Sequence, residues 1–383
     1  MTHCDLPDTH ASSCDNHNGD LPEGVPPLRT FYVYLSSSCN LRCKHCWIAP
    51  DFSGDTPVPG STVDLSALHK AVVEAKTLGL CGTKLTGGEP MLHPQFLEVV
   101  DMLSNEGLSL VMETNGTLLT PDIATHLKNN TRMDFISVSI DSPVPAEHDA
   151  FRGVKGAFMR TLAGLDALVD AGYTNCQVIM SVHPGNMSRM EDLIKLVVEH
   201  KGASVKFNPI MKTGRGISMH EKGEVFDLEG HLALGKYVNE ELRPRSPIPL
   251  HLSLPMALTP YKELWRTRGK GCNCGVLGIL GILGTGEIAL CGIGETIPEL
   301  IYGWLGKDSI RDIWLSNPVI QKLRQDLADV KNYPGVCGTC VHARTCRTEC
   351  VANNYSFSGK LVSPQMLCSE AHRLGAFPKS RVR

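Results

Sequence analysis

The sequence predicts an α/β fold: a partial, TIM-like (β/α)6 barrel followed by a small loop-rich domain. Three observations predict it. β-type runs alternate with helical patterns from residue 31 onward, the alternation breaks after about residue 225, and a cysteine-dense tail follows at 337–368.

The β-type runs are 31–35, 82–86, 108–114, 134–140, 176–182 and 204–208. Helical candidates lie between them near 64–79, 94–106, 121–130, 156–171 and 188–201. Repeated strand–helix alternation implies parallel strands joined by crossover helices. Six such strands make an open version of the eight-stranded barrel, in which functional groups gather where strands end and loops begin. The chemistry-bearing residues lie at those ends. Cys39 follows the first strand, Thr86-Gly87-Gly88-Glu89-Pro90 ends the second, and Glu113-Thr114-Asn115-Gly116 ends the third. Ser139 and Asp141 end the fourth, and Asn208-Pro209 ends the sixth. Beyond 225, "LGILGTGEIALCG" reads as a hairpin turning at Gly284-Thr285-Gly286, and "DSIRDIWLSNPVIQKLRQDL" reads as a helix. The expected organisation is a disordered tail over 1–28, the barrel over 29–225 and the loop-rich domain over 226–383.

Composition narrows the function classes. Of 383 residues, 42% are hydrophobic and 20% charged, ample for a core. A net charge of -3 gives no field that would draw the chain to nucleic acid or to an anionic membrane. No run of 18 apolar residues and no basic-then-apolar leader is present, so a cytoplasmic protein is expected. In that compartment 15 cysteines in tight clusters suggest metal or cluster ligands more than disulfides.

The stretch "SSSCNLRCKHCW" places Cys39, Cys43 and Cys46 at C-x3-C-x2-C spacing just after the first strand. Three thiolates can hold three irons of a [4Fe–4S] cube and leave the fourth open to an outside ligand, whereas four would close the site. A zinc knuckle or a ferredoxin loop is the competing reading. The motif resembles the signature of the radical SAM superfamily. In that family S-adenosylmethionine chelates the open iron, and an electron from the cluster cleaves it to a 5′-deoxyadenosyl radical that takes hydrogen from substrate. Within the resemblance, Gly87, Gly88 and Glu89 correspond to the family's GGE motif, which meets the cofactor's amino group. "SVSID" with "FRG" resembles the stretch that holds ribose and carboxylate, implying contacts from Ser139 and Arg152. Asp141 is a cofactor-contact candidate that also reads as a turn residue, and Asn115 and Asn208 are weaker candidates still. His45, inside the cysteine loop, is given no role.

The tail reads Cys337-x2-Cys340-x5-Cys346-x3-Cys350-x17-Cys368, with Cys272, Cys274 and Cys291 upstream. Gly286 precedes Cys291 at G-x4-C spacing. This resembles the SPASM extension of radical SAM maturases, with a pair of structural zinc sites as the rival. The resemblance implies two auxiliary [4Fe–4S] clusters, three clusters in all. The nearer would take Cys272, Cys274, Cys291 and Cys350, and the farther Cys337, Cys340, Cys346 and Cys368. One departure is that Cys272 and Cys274 stand only C-x-C apart; if both cannot bind one cube, the nearer cluster keeps an open iron. Cys81 and Cys176 read as buried thiols acting as small hydrophobes.

The commonest role implied by this architecture is modification of a peptide or protein, by cross-linking or epimerisation for example. Gly292 follows Cys291 where sulfatase maturases carry an acidic base, which argues against that reaction. Residues 1–28 are too short for a leader-binding domain, so leader recognition would need a separate protein or the barrel itself. A reductase, flavodoxin or ferredoxin would supply electrons. Two alternatives stay open: a small-molecule enzyme such as a tetrapyrrole side-chain modifier, and a non-catalytic electron carrier or zinc module.

Overall fold

The computed structural model describes residues 21–54, 56–266, 277–292, 294 and 297–383. Six parallel strands form where the sequence predicts them: β1 (Thr30–Tyr34), β2 (Gly82–Thr86), β3 (Ser109–Thr114), β4 (Met133–Ser139), β5 (Gln177–Val182) and β6 (Ser204–Pro209). A seventh parallel strand, β7 (Leu250–Leu252), extends the sheet beyond β6. β1, β2 and β5 are buried along their whole length, as expected for strands covered on both faces.

The crossover helices are α1 (Leu65–Lys76), α2 (Phe96–Asn105), α3 (Pro121–Asn130), α4 (Pro145–Arg152), α5 (Ala157–Asp170) and α6 (Met190–Glu199). Their starts carry local signals. Asp64 caps α1 by accepting from the Ala67 amide at 2.7 Å, and Thr120 caps α3, which has Pro121 in its first turn. The buried faces Leu68/Val72, Val100/Leu103, Leu165/Leu168 and Leu193/Val197 pack on the sheet in one core.

The hairpin predicted at 280–292 forms as β8 (Ile279–Ile282) and β9 (Glu287–Ala289), followed by β10 (Ile301–Trp304). It does not stand apart from the barrel. β8 pairs in parallel with β1, giving one ten-stranded sheet in the order β10-β9-β8-β1-β2-β3-β4-β5-β6-β7. The single helix read over 308–327 is two, Ile310–Ser316 and Pro318–Ala328, because Asn317 is extended and Pro318 starts a new first turn. Glu74 of α1 caps the first of them, accepting from the Ile310 amide at 3.0 Å and the Arg311 amide at 3.2 Å.

Residues 21–28, read from the sequence as part of a disordered leader, pack against this core. Leu28 is fully buried, Leu21 and Val25 are partly buried, and the Pro26 carbonyl accepts from the Trp314 indole at 2.9 Å. The tail has its own smaller core, including Leu323, Leu327, Tyr333, Val351, Leu367 and Phe377, in which Cys340 and Cys368 are themselves packing residues. Cys176 is buried as expected, whereas Cys81 is half-buried and disulfide-bonded. Among the described residues no helix is long and apolar enough to cross a membrane.

Candidate active site and cysteine centres

The loop after β1 is held by hydrogen bonds to three later elements. The Arg42 and Lys44 amides donate to the Arg152 and Phe151 carbonyls at 3.0 Å each, and the Arg215 side chain donates to the carbonyls of Cys43 (2.8 Å) and Pro50 (3.0 Å). Cys39 and Cys43 are buried and Cys46 half-buried. All three line one cavity of about 260 Å³ at the ends of the strands.

Each sulfur already faces a donor. The Leu41 amide lies 3.4 Å from Cys39 Sγ and the Ala49 amide 3.3 Å from Cys46 Sγ. Asn115 Nδ2 lies 3.8 Å from Cys39 Sγ, and Arg152 Nη1 3.6 Å from Cys43 Sγ. Donors aimed at sulfur suit thiolates, yet burial and mutual repulsion push the Cys39 thiol up, and burial pushes Cys43 up to about 11 against the nearby Arg152 charge. Only a cation among the sulfurs would favour the anionic form, so uptake of iron would release protons. Three thiols on one cavity are the donor set that a three-thiolate cluster with one open iron would use, while among the described residues no three His, Cys, Asp or Glu side chains stand placed to hold a single metal ion.

The glycines of "TGGEP" act first on the protein itself. A Cβ on Gly87, whose φ is 133°, would lie 2.7 Å from the Ser36 carbonyl oxygen, and one on Gly88 would lie 1.9 Å from that of Ser38. Their absence lets the Gly88 and Glu89 amides donate to those same carbonyls, at 2.7 and 2.9 Å. Both glycines line the cavity. Glu89 is wholly buried and accepts from Thr114 Oγ1 at 2.7 Å and from the Asn115 amide at 2.9 Å, tying the end of β2 to the end of β3. Burial pushes its carboxyl up to about 7 despite these bonds.

Arg152 and Asp141 form a buried pair, Nε to Oδ2 at 2.6 Å. Asp141 also accepts from the Ser181 amide at 2.8 Å; burial pushes its carboxyl up, but Arg152, the nearby histidines and the Ser181 amide together outweigh that and hold it below its usual range. Asp141 thus orients Arg152, whose side chain reaches the cavity wall together with Ser139, Asn115 and Asn208. His45, given no role from the sequence, also lines the cavity. Its ring stacks on Phe151 with centroids 4.8 Å apart, and Nε2 lies 2.8 Å from Ser181 Oγ. Burial holds it neutral, down to about 4. Its place between two of the three cysteines was the available signal.

The tail closes the cavity's other side with Glu349, Cys350, Asn353, Phe357, Gln365, Met366 and Leu367. Glu349 was missed in the sequence; burial, then the neighbouring Cys350, pushes its carboxyl up to about 8. A second, smaller cavity of about 20 Å³ is lined by Cys337, Cys340, Cys346 and Cys368. These are the four thiols that the resemblance groups together, and burial with mutual repulsion pushes Cys337 up to about 12 and Cys346 and Cys368 up as well. Cys350 is on the first cavity, and its Sγ accepts from the Asn353 amide at 3.4 Å as the cap of the helix Val351–Ser358. Cys291, half-buried just after β9, packs against the cluster that holds Tyr32 and Tyr34, as Trp47 does. Cys272 and Cys274 lie outside the described residues.

Comparison with known proteins agrees with this geometry. Residues 33–197 match the radical SAM superfamily model. The AdoMet-dependent heme synthase of Nitratidesulfovibrio vulgaris is 29% identical over 366 residues, 91% of this chain and 94% of that protein. The antilisterial bacteriocin subtilosin biosynthesis protein AlbA of Bacillus subtilis is 28% identical over 318 residues, 80% of this chain and 65% of that protein. The crystal structure of Streptococcus suis SuiB bound to S-adenosylmethionine matches in fold, with TM-score 0.69 at 15% identity over 94% of this chain and 80% of that one. With the cysteine loop at the end of its first strand and the strand ends gathered round it, this chain carries a radical SAM domain over residues 33–197.

Proposed function

We propose that the chain modifies a peptide or protein by radical chemistry in the cytoplasm. Cys39, Cys43 and Cys46 would hold the cluster that binds S-adenosylmethionine, with Gly87, Gly88, Glu89, Asn115, Ser139, Asp141 and Arg152 forming its surroundings. When bound, that group supplies a 5′-deoxyadenosyl radical, which takes hydrogen from substrate. Cys337, Cys340, Cys346 and Cys368 would hold one auxiliary [4Fe–4S] cluster, and Cys272, Cys274, Cys291 and Cys350 the other. A flavodoxin, ferredoxin or reductase would be the electron donor, and a separate leader-binding protein a further partner.

The observation that carries the peptide reading is the charge of the cavity. Its cationic side chains among the described lining residues are Arg152, already paired with Asp141, and Lys212. His45, His220 and His231 are held neutral, in each case chiefly by burial. A tetrapyrrole carrying several carboxylates would call for more positive charge than this. A peptide would not. Within the peptide reading, Gly292 argues against a base after Cys291: a Cβ there would lie 2.2 Å from the Trp47 ring and 2.3 Å from that of Tyr34.

The second reading, a tetrapyrrole side-chain modifier, is favoured by the near full-length match to a heme synthase. The deciding experiment is anaerobic incubation of reconstituted enzyme with S-adenosylmethionine and dithionite in deuterated water, read by mass spectrometry. One arm takes the short peptide encoded beside this chain's gene and the other a propionate-bearing tetrapyrrole. Loss of two hydrogens, or gain of one deuterium, in the peptide is expected. Change in the tetrapyrrole alone would overturn the proposal, and no 5′-deoxyadenosine in either arm would remove both readings.

A further inference from the structure

The segment Arg347-Thr348-Glu349 separates the two cavities. It runs from Cys346, on the small cavity, to Cys350, on the large one; Thr348 lines the former and Glu349 the latter. All three residues have left-handed backbones, with φ of 49°, 65° and 66°. None is glycine, and a β-branched threonine is among the residues least suited to that conformation. Strain of this kind persists where the surroundings impose it, and it gathers at ligand sites.

Glu349 carries a second unfavourable feature. It is 7% exposed, and its buried Oε2 has no hydrogen-bond partner among the described residues. A buried acceptor without a donor is costly. Asn353, four residues on and in the first turn of the next helix, lines the same cavity, and its Oδ1 is likewise buried with no partner among the described residues. A glycine at 349 would relieve the backbone and remove the stranded carboxylate. The glutamate is understandable if a donor arrives from outside.

We propose that Glu349 and Asn353 are an acceptor pair, contributed by the tail, that holds an N–H donor of the peptide substrate in the cavity shared with the Cys39–Cys46 loop. The donor is a backbone amide or an ammonium group. The inference rests on the peptide reading above and deepens it by assigning a specificity-determining contact.

The test is fluorescence anisotropy of the labelled neighbouring-gene peptide on reconstituted, S-adenosylmethionine-bound, unreduced enzyme, so that binding is read without turnover. Glu349→Ala should weaken binding by about tenfold or more, as expected for a lost hydrogen bond to a charged group. Glu349→Gln keeps an acceptor and loses the charge. Retained binding points to an amide donor, and loss comparable to alanine points to an ammonium. Glu349→Gly should bind as weakly as alanine while melting at a temperature no lower than wild type, because glycine accepts the left-handed backbone. Asn353→Ala, three residues from Cys350 where Glu349 is its immediate neighbour, decides the matter if Glu349→Ala loses iron. Wild-type affinity in both alanine variants overturns the proposal alone. A wild-type enzyme that cleaves S-adenosylmethionine but binds no peptide overturns the peptide reading and this inference with it.

Discussion

The two cysteine centres are built by opposite means. Cys39, Cys43 and Cys46 sit on a loop that a completed sheet holds from several sides: β2 through Gly88 and Glu89, α4 through Arg152, and the segment after β6 through Arg215. Cys337, Cys340, Cys346 and Cys368 sit in or beside helices of four to eight residues, and two of them count among the tail's own core residues. The first centre is a passenger on a fold that apolar burial alone can form. The second, with metal bound as proposed, would be part of what its surroundings fold around.

The largest expected effect comes from breaking that contrast directly. Stripping iron with a chelator, or replacing Cys340 by alanine, should unfold the tail while the barrel persists. Hydrogen exchange would then show lost protection over 333–373 and retained protection in β1–β6. Loss of protection in both regions together would show that the barrel leans on the tail's metal. Cys43→Ala should do the reverse, abolishing 5′-deoxyadenosine formation with little change in either region's protection.

Gly88→Ala comes next. With a Cβ 1.9 Å from a backbone oxygen, loop and strand end must part by about an ångström, and misplacement on that scale costs about 100-fold in rate. Cleavage of S-adenosylmethionine measures it, and activity within threefold of wild type would show that the loop gives way freely. Gly292→Ala should be milder. It meets two aromatic rings rather than backbone, and overpacking of that kind costs about 1–3 kcal/mol, read as a lowered melting temperature.

A smaller effect tests the barrel interior. Lys84 bonds Glu113 at 2.6 Å, and both are largely buried. Burial pushes the Glu113 carboxyl up, but Lys84 and Lys206 outweigh it and hold it below its usual range. Its contribution to stability is therefore complete above the unfolded value of about 4.3 and fades as pH falls through the lower folded value. Glu113→Gln should lower stability at pH 7 and flatten the loss between about pH 5 and pH 3 in denaturant titrations. An unchanged acid limb would show that the pair does not govern it.

How much of this was legible depends on the range of the interaction. The six strands were readable because each is a local run of apolar residues, and the cysteine motifs because their spacing is a local property of the chain. Cys337, Cys340, Cys346 and Cys368 line one cavity, a set that the family resemblance implied and that spacing alone would not have separated from Cys350. What was missed is tertiary. Nothing near Glu74 announces that it caps a helix more than 230 residues away, and the three-residue β7 is too short to carry a period. Gly87 and Gly88 stood out, but that they make room for Ser36 and Ser38 required the loop's position. Glu349 was invisible because its burial against the large cavity and its left-handed backbone are set by the tertiary fold and not by any local pattern.

The parallel pairing of β8 with β1 has a consequence for how the chain stays unaggregated. In an open barrel the first strand is an edge, and here that edge is Thr-Phe-Tyr-Val-Tyr, five residues of high β-propensity with no charge, proline or bulge to discourage a foreign strand. The hairpin covers it and moves the exposed rim outward to β10, a four-residue strand containing Gly303, with an irregular register against β9. The segment carrying Cys291 is therefore also the barrel's guard against strand addition. A barrel cut free at residue 225 would present its stickiest strand to every other copy of itself.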